Sequence, residues 1–153
     1  SSTSRGLGDV YKRQIQDLDG YGGYGCLWGE VNSNIHKGFG CVGLVTDGGV
    51  RDLPDIAPGF QMLAASVLPS HAFGHVVDFS RPVDVAGMRV VDGDVIHADQ
   101  HGAVVIPHSA VTQVKAAAEK IARREAVIID AAQQPDFDIE KLRQAQGDAA
   151  EIH

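Results

Sequence analysis

The chain has only two cysteines, Cys26 and Cys41. That is too few for a disulfide framework, and they lie too far apart for a C-x-x-C metal knuckle. Both read as small buried hydrophobes of a reducing compartment. Aromatic residues make up 6% of the chain, with one tryptophan. Positive charge is also scarce, with 13 Lys and Arg against 20 Asp and Glu and a formal net charge of -7. That balance argues against a nucleic-acid binder, because phosphate recognition wants clustered cations. No apolar run approaches the ~20 residues that span a bilayer, and no charged-then-apolar leader opens the sequence. Cytoplasm is the expected location. Internal repeats and low-complexity linkers are missing as well.

What is present suits a globular protein with a core of its own. The 153 residues are 44% hydrophobic and 22% charged, ordinary figures for a folded domain. The first fourteen, SSTSRGLGDVYKRQ, carry neither a two-residue nor a 3.6-residue period. They resemble a translated sequencing adapter and are set aside as a non-native segment. One domain is expected over residues 15–153, with Ile15–Asp19 as a strand remnant and the glycine-rich GYGGYG segment after it.

Further on, a helix is expected from about Leu27 to Lys37, stopped by Gly38 and Gly40. Cys41–Thr46 is a short apolar run bounded by glycines, typical of a buried parallel strand. Asp47-Gly48-Gly49 makes a turn, and Leu53–Ile56 begins a brief helix with Pro54 in its first turn. Phe60–Ala65 and Val76–Phe79 read as strands. Pro82–Val91 alternates around Gly87 and ends in a hairpin-type turn at Asp92-Gly93-Asp94. Val95–Ala98 and Ala103–Pro107 flank a second turn at Asp99–Gly102. Ser109 is placed to cap a long helix with Val111, Val114, Ala118, Ile121 and Ile128 on one stripe. After Pro135 a polar helix follows from roughly Asp138 to Gln146. The pattern is α/β with mixed sheets.

Arg51-Asp52 is the first place where chemistry could sit. The pair follows a buried strand and a double-glycine turn, so both side chains should emerge at the carboxyl end of a sheet, where open α/β sheets hold ligands. The guanidinium offers a planar fork for a carboxylate or keto oxygen. The aspartate offers a hard oxygen to Mg²⁺ or Mn²⁺, and Asp55 could join through water. The alternative is an Arg–Asp surface ion pair beside a turn.

Gly25–Asn32 (GCLWGEVN) is the second. Glycine-rich backbone leading into a helix exposes amides to an anion, so a carboxylate could rest on the amides of Val31 and Asn32 with Glu30 nearby. A plain flexible loop competes with that reading, since GYGGYG fits no phosphate-loop or dinucleotide pattern.

Histidines and one acid complete the set. His71 and His75 have the i, i+4 spacing of a zinc pair, but Gly74 interrupts them and no helical pattern supports them. His97, Asp99 and His101 would form a facial triad if their strand continued, although Asp99–Gly102 reads better as a turn. His36 could face the cleft or simply pack. Glu125 interrupts the apolar stripe of the long helix. It either pairs with Arg123 or Arg124 or reaches a neighbouring subunit's site.

Together, Gly29-Glu30, Arg51-Asp52 about twenty residues on, and Asp55 resemble the signature of the RraA-like superfamily, which contains the class II 4-hydroxy-4-methyl-2-oxoglutarate (4-carboxy-4-hydroxy-2-oxoadipate) aldolases. GLVTDGGVRDLPDI and GDVIHADQHGAVVIP are similar to recurring segments of that family. The resemblance implies a swivelling α/β/β/α sandwich with mixed sheets, a homotrimer or homohexamer, and sites at subunit interfaces. About the first third to half of a typical aldolase is missing, so an N-terminally truncated domain is expected. By the same resemblance Asp52 is the direct ligand of Mg²⁺ or Mn²⁺, with Glu30 and Asp55 acting on it through water. Arg51 holds the keto oxygen and carboxylate, and the amides after Glu30 hold the carboxylate's other side. Glu125 would be the acid contributed in trans.

The implied activity is cleavage to pyruvate, with decarboxylation of oxaloacetate on the same site. Cleaving a C–C bond beside a keto acid leaves an enolate, which a Lewis-acid metal and a guanidinium stabilise without a Schiff-base lysine. Lys37, Lys115, Lys120 and Lys141 lie on no obvious buried strand near the cleft. Two other readings compete: a non-enzymatic binding module of the regulator-of-RNase-E-activity type, and a metal hydrolase built on His97, Asp99 and His101.

Overall fold

The computed structural model describes residues 11–19 and 24–153. Most of the adapter-like segment and most of GYGGYG therefore lie outside the described residues. The chain divides after Ile106 into two compact units, and the fold is mixed α/β with small sheets.

In the first unit, strand β2 (Cys41–Thr46) is the middle of a parallel three-stranded sheet. One neighbour is β4 (Gln61–Leu63), with Leu44 opposite Met62. The other is β1 (Tyr11–Ile15), running from Tyr11 opposite Cys41 to Ile15 opposite Thr46. Tyr11–Gln14 are thus part of the sheet, which corrects their exclusion from the fold. Beyond Ile15 the expected strand remnant is a turn, in which the Asp19 amide donates to Asp17 Oδ1 and the Asp17 amide to Asp47 Oδ1. Cross-strand pairing can build a strand from a local sequence with little pattern of its own.

Helix α1 (Glu30–Gly38) starts three residues later than its periodicity suggests, because Gly29 is still extended. It lies against β2 and is tied down through Ser33, which is fully buried. The Ser33 hydroxyl donates to Glu30 O and accepts from the Ala57 amide, so both partners of a buried polar group are satisfied. The core comprises Trp28, Cys41, Leu44, Val50, Ala57 and Phe60. His36 packs in that layer, stacked on Trp28 with centroids 4.7 Å apart.

A short strand, β3 (Gly49–Val50), pairs in parallel with β5 (Ser66–Val67). Two hairpins complete the unit: β6 (Val83–Val85) with β7 (Met88–Val90), and β8 (Val95–Asp99) with β9 (Gly102–Ile106). The tight turn of the first hairpin is Ala86-Gly87, both at positive φ, and not Asp92–Asp94, which instead turns the chain from β7 into β8. Val76–Phe79 is no strand: Val76, Val77 and Phe79 are exposed and no sheet edge pairs with them. A short apolar run needs a partner edge before it becomes a strand.

The second unit, residues 107–153, packs α2 (Val114–Ala132) against α3 (Ile139–Ala150). Ser109 does not cap α2. A 3-10 turn at Val111–Gln113 intervenes, and the Gln113 side chain donates to Ser109 O. Asp138 does cap α3, accepting from the Lys141 amide. The predicted stripe is displaced: Val111, Val114 and Ile121 are exposed, while Lys120, Arg124, Val127, Ile128 and Ala131 are the half-buried positions. The alanines of α3, Ala145 and Ala149, are buried where α2 and α3 pack together, so packing and not periodicity chose the face.

Candidate functional site

The site is built where β3 ends. Gly49 fits a narrow passage, since a Cβ there would lie 2.6 Å from Leu68 Cδ1 and 3.2 Å from Cys26 Cβ. Val50 bridges Trp28, and the Arg51 amide donates to Trp28 O (2.9 Å). The backbone thus delivers Arg51 beside the segment that leads into α1. Its guanidinium is held on two sides: Nη1 donates to Cys26 O (2.9 Å), and Nε lies 3.3 Å from Asp52 Oδ2. The remaining nitrogen, Nη2, has no hydrogen-bond partner among the described residues.

Asp52 adopts a left-handed conformation (φ 55°, ψ 37°) and opens the 3-10 turn Leu53–Asp55, in which the Asp55 amide donates to Asp52 O. Asp and Asn tolerate this region better than other side chains. The twist turns the carboxylate back onto α1, where Oδ2 accepts from the Glu30 amide at 3.2 Å. Gly29 makes that approach feasible: a Cβ there would stand 2.3 Å from Asp52 Oδ2 and 3.1 Å from Arg51 Cγ.

A cleft of about 350 Å³ opens beside this pair, lined by Leu27, Gly29, Val31, Asn32, Arg51 and His71. All four residues expected to bind substrate, Gly29, Val31, Asn32 and Arg51, are therefore brought together. Val31 and Asn32 occupy the second and third positions of α1, whose amides have no partner within the helix; the first intrahelical bond is made by Ser33 N to Gly29 O. The Asn32 side chain donates to Leu27 O and braces the loop. Two helix-start amides without an intrahelical partner and the Arg51 side chain thus belong to residues lining one cleft, a combination chemically suited to a small carboxylate.

Glu30 contributes its amide to Asp52, while its side chain and that of Asp55 are exposed and line no part of the cleft. Glu125 lies in the other unit and is exposed. Among the described residues it pairs with neither Arg123 nor Arg124, and the Arg124 guanidinium donates instead to Ile152 O and Ala150 O. His71 was the cleft residue that sequence reasoning missed. Its spacing to His75 suggested a zinc pair, yet no helix forms there; its true neighbour is Cys26, through a parallel bridge that no local pattern announces.

His97, Asp99 and His101 do meet at the tip of β8–β9. His97 Nε2 is 3.7 Å and His101 Nδ1 3.3 Å from Asp99 Oδ2. The His101 backbone amide, and then its ring, hold the Asp99 carboxyl below its ordinary value. These are exposed imidazole–carboxylate contacts at a hairpin turn. Asp99 also borders the larger hollow of about 560 Å³, where Lys12 and aliphatic side chains of β2 and β4 dominate. Size favours that hollow, but only the smaller cleft combines unpaired amides with an arginine. Among the described residues, no three His, Cys, Asp or Glu side chains are grouped to hold a metal ion.

A cation at Asp52 would accordingly bind through one carboxylate, in the manner of a largely hydrated Mg²⁺. Asp52 fits this: Oδ2 is engaged, and Oδ1 has no hydrogen-bond partner among the described residues. The side chain is 38% exposed.

An arginine and the first residues of a helix beside an aspartate, set in a mixed α/β fold, are what this geometry brings together. The RraA-like family model, described as Aldolase/RraA, matches residues 8–105. The chain belongs to the RraA-like family. It is 38% identical over 92 residues to a Burkholderia mallei protein named "Putative 4-hydroxy-4-methyl-2-oxoglutarate aldolase", covering 58% of this chain and 55% of that one. The chain thus spans about half the length of the curated relatives it matches. An uncharacterized Pseudomonas syringae protein shares the fold with TM-score 0.70 and 21% identity, over 90% of this chain and 63% of that one. Streptomyces coelicolor RraAS2, titled an unusual member of the RNase ES inhibitor RraA protein family, aligns with TM-score 0.59. Its identity is 26%, over 73% of this chain and 59% of that one. Among the described residues, no helix is long and apolar enough to cross a membrane.

Proposed function

We propose that the chain acts as a class II, divalent-metal-dependent aldolase that cleaves 4-hydroxy-4-methyl-2-oxoglutarate-type acids to pyruvate and also decarboxylates oxaloacetate. The observation that carries this reading is the convergence of Arg51 and the unpaired amides of Val31 and Asn32 on one cleft beside Asp52. The substrate carboxylate rests on the two amides, and Arg51 Nη2 faces the keto oxygen on which enolate charge develops. Asp52 would hold Mg²⁺ or Mn²⁺, with Glu30 and Asp55 acting through water; the cation would supply Lewis-acid polarisation of that oxygen. Asp52 also fixes the Arg51 fork through Nε, so one carboxylate serves both partners. A homotrimer or homohexamer, with Glu125 reaching a neighbour's site, and a cytoplasmic location complete the proposal.

The test is pyruvate release from 4-hydroxy-4-methyl-2-oxoglutarate and from oxaloacetate, with Mg²⁺ and with EDTA. Activity should require the metal and fall about 10²–10³-fold in Arg51→Lys, which keeps the charge and loses the planar fork. A chain with no turnover on either acid would overturn the reading. The likeness to RraAS2 supports a second reading, a binding module that restrains an RNase E-type enzyme. Under it Asp52→Asn would leave partner binding untouched, whereas under the first it abolishes pyruvate release.

A further inference from the structure

Resting on the aldolase reading, we propose that His71 is the proton acceptor for the substrate's 4-hydroxyl group. Its position is well determined. The Cys26 amide donates to Ser70 O (2.9 Å) and the Ala72 amide to Cys26 O (3.0 Å), so the backbone on either side of His71 is stitched to Cys26. Gly25 lets the two segments touch, for a Cβ there would stand 2.8 Å from Ala72 Cα. The same Cys26 carbonyl accepts from Arg51 Nη1. His71 and Arg51 are therefore anchored to one residue and line one cleft.

The tautomer decides what the imidazole can do. His71 Nδ1 lies 2.6 Å from Ala72 O, and a carbonyl oxygen only accepts. Nδ1 therefore carries the proton, and in the neutral ring Nε2 is a lone pair. A lone pair repels a carboxylate but accepts from a hydroxyl. The cleft thus has one wall that binds an anion, through Arg51 and the amides, and one group suited to remove a proton. A 4-hydroxy-2-keto acid has matching ends.

The step balances. Nε2 takes the hydroxyl proton, and the O–H electron pair becomes the second C4–O bond. The C3–C4 bond breaks, its pair forms C2=C3, and the carbonyl pair moves to the C2 oxygen facing Arg51. The proton on Nε2 then returns to C3, giving pyruvate and restoring the neutral imidazole. Decarboxylation of oxaloacetate passes through the same enolate but has no hydroxyl proton to remove.

That difference provides the test, which is His71→Gln assayed on both acids under one metal condition. Cleavage should fall roughly 10²–10⁴-fold, as expected for a lost general base, with kcat carrying most of the change. The ratio of cleavage to decarboxylation should fall at least about 30-fold. Parallel loss of both activities, or loss of neither, overturns the assignment of His71 alone. A wild-type chain inert toward both acids removes the aldolase reading and His71's role with it. Nitrogen-15 NMR of the wild-type histidines tests the premise without a variant, since a resting His71 protonated on Nε2 and bare on Nδ1 also overturns the assignment.

Discussion

Asp52 closes the N-terminal end of α1 from 22 residues away in sequence, its Oδ2 accepting from the Glu30 amide at 3.2 Å. Gly29, the residue in the capping position, has no side chain to do this. The carboxylate thus stabilises the helix and positions Arg51, and two substitutions separate these duties from chemistry. Asn keeps an accepting oxygen and tolerates the left-handed backbone, so Asp52→Asn should cost less than about 1 kcal/mol. Asp52→Ala loses the cap and strains the backbone, together roughly 2–3 kcal/mol, a fall in Tm of about 4–12 °C. Both should abolish metal-dependent pyruvate release. Thermal melts and turnover on the two variants check this, and an active Asp52→Asn would refute a role for the charge.

Gly29→Ala addresses the same contact from the other side. The added methyl would need the space of Asp52 Oδ2 and crowd Arg51 Cγ. Both side chains must shift, while the extended backbone at Gly29 (φ -166°) accepts alanine without strain. Displacement of a catalytic group by about 1 Å costs on the order of 10²-fold in rate. The expected result is a loss of that size in kcat/KM with a melting curve close to wild type. Unchanged kcat/KM would mean that the Arg51–Asp52 geometry is not what turnover depends on.

These contacts also explain what was legible in the sequence. The Arg51-Asp52 pair and the helix α1, to within three residues of its start, were readable because a double glycine, a buried strand and a glycine-led helix each leave a local signature. Val31 and Asn32 line the same cleft as Arg51. The direct bond between Asp52 and Glu30 was not readable, since distant capping has no spacing rule. His71 stayed hidden for the same reason: its place is set by pairing with Cys26, while its visible spacing to His75 pointed elsewhere. Tyr11–Gln14 were set aside because they carry no period and resemble a sequencing adapter, whereas their strand is defined by pairing with β2. On α2 the sequence pointed to the stripe of Val111, Val114, Ala118, Ile121 and Ile128, and packing against α3 covers a different set of positions.

His36 gives stability a dependence on pH. Burial, and secondarily the positive charge of Arg13, lower its pKa from the ordinary 6.5. The ring is stacked on Trp28, and its Nδ1 is buried without a hydrogen-bond partner among the described residues. Below 6.5 the unfolded chain takes up a proton that the folded chain resists, so the unfolded state binds more protons and stability falls as the pH is lowered. The contribution is complete above 6.5 and is lost as pH drops toward the folded-state pKa. His36→Phe keeps an aromatic ring over Trp28 and removes the titration. Urea unfolding between pH 5 and 8 should show a flatter stability profile for the variant than for wild type. Parallel profiles would show that His36 is protonated equally in both states.

The β6–β7 hairpin offers a gain in stability. Its two turn residues, Ala86 (φ 52°) and Gly87 (φ 84°), both lie in the left-handed region, as a type I′ turn requires. Gly87 is at home there, and its amide donates to Asp84 Oδ1 (2.9 Å). Ala86 is not, because its Cβ crowds the following carbonyl at a cost of about 1–2 kcal/mol. Asparagine is the favoured residue at that position, so Ala86→Asn should stabilise the chain by about 0.5–1 kcal/mol. Ala86→Gly relieves the same strain but adds freedom to the unfolded chain, and should gain less. Since the turn lines no part of the Arg51 cleft, pyruvate release should be unchanged in both. The order Asn above Gly above Ala in urea midpoint is the expected result; a destabilised Ala86→Asn would mean that the turn does not hold this conformation in solution.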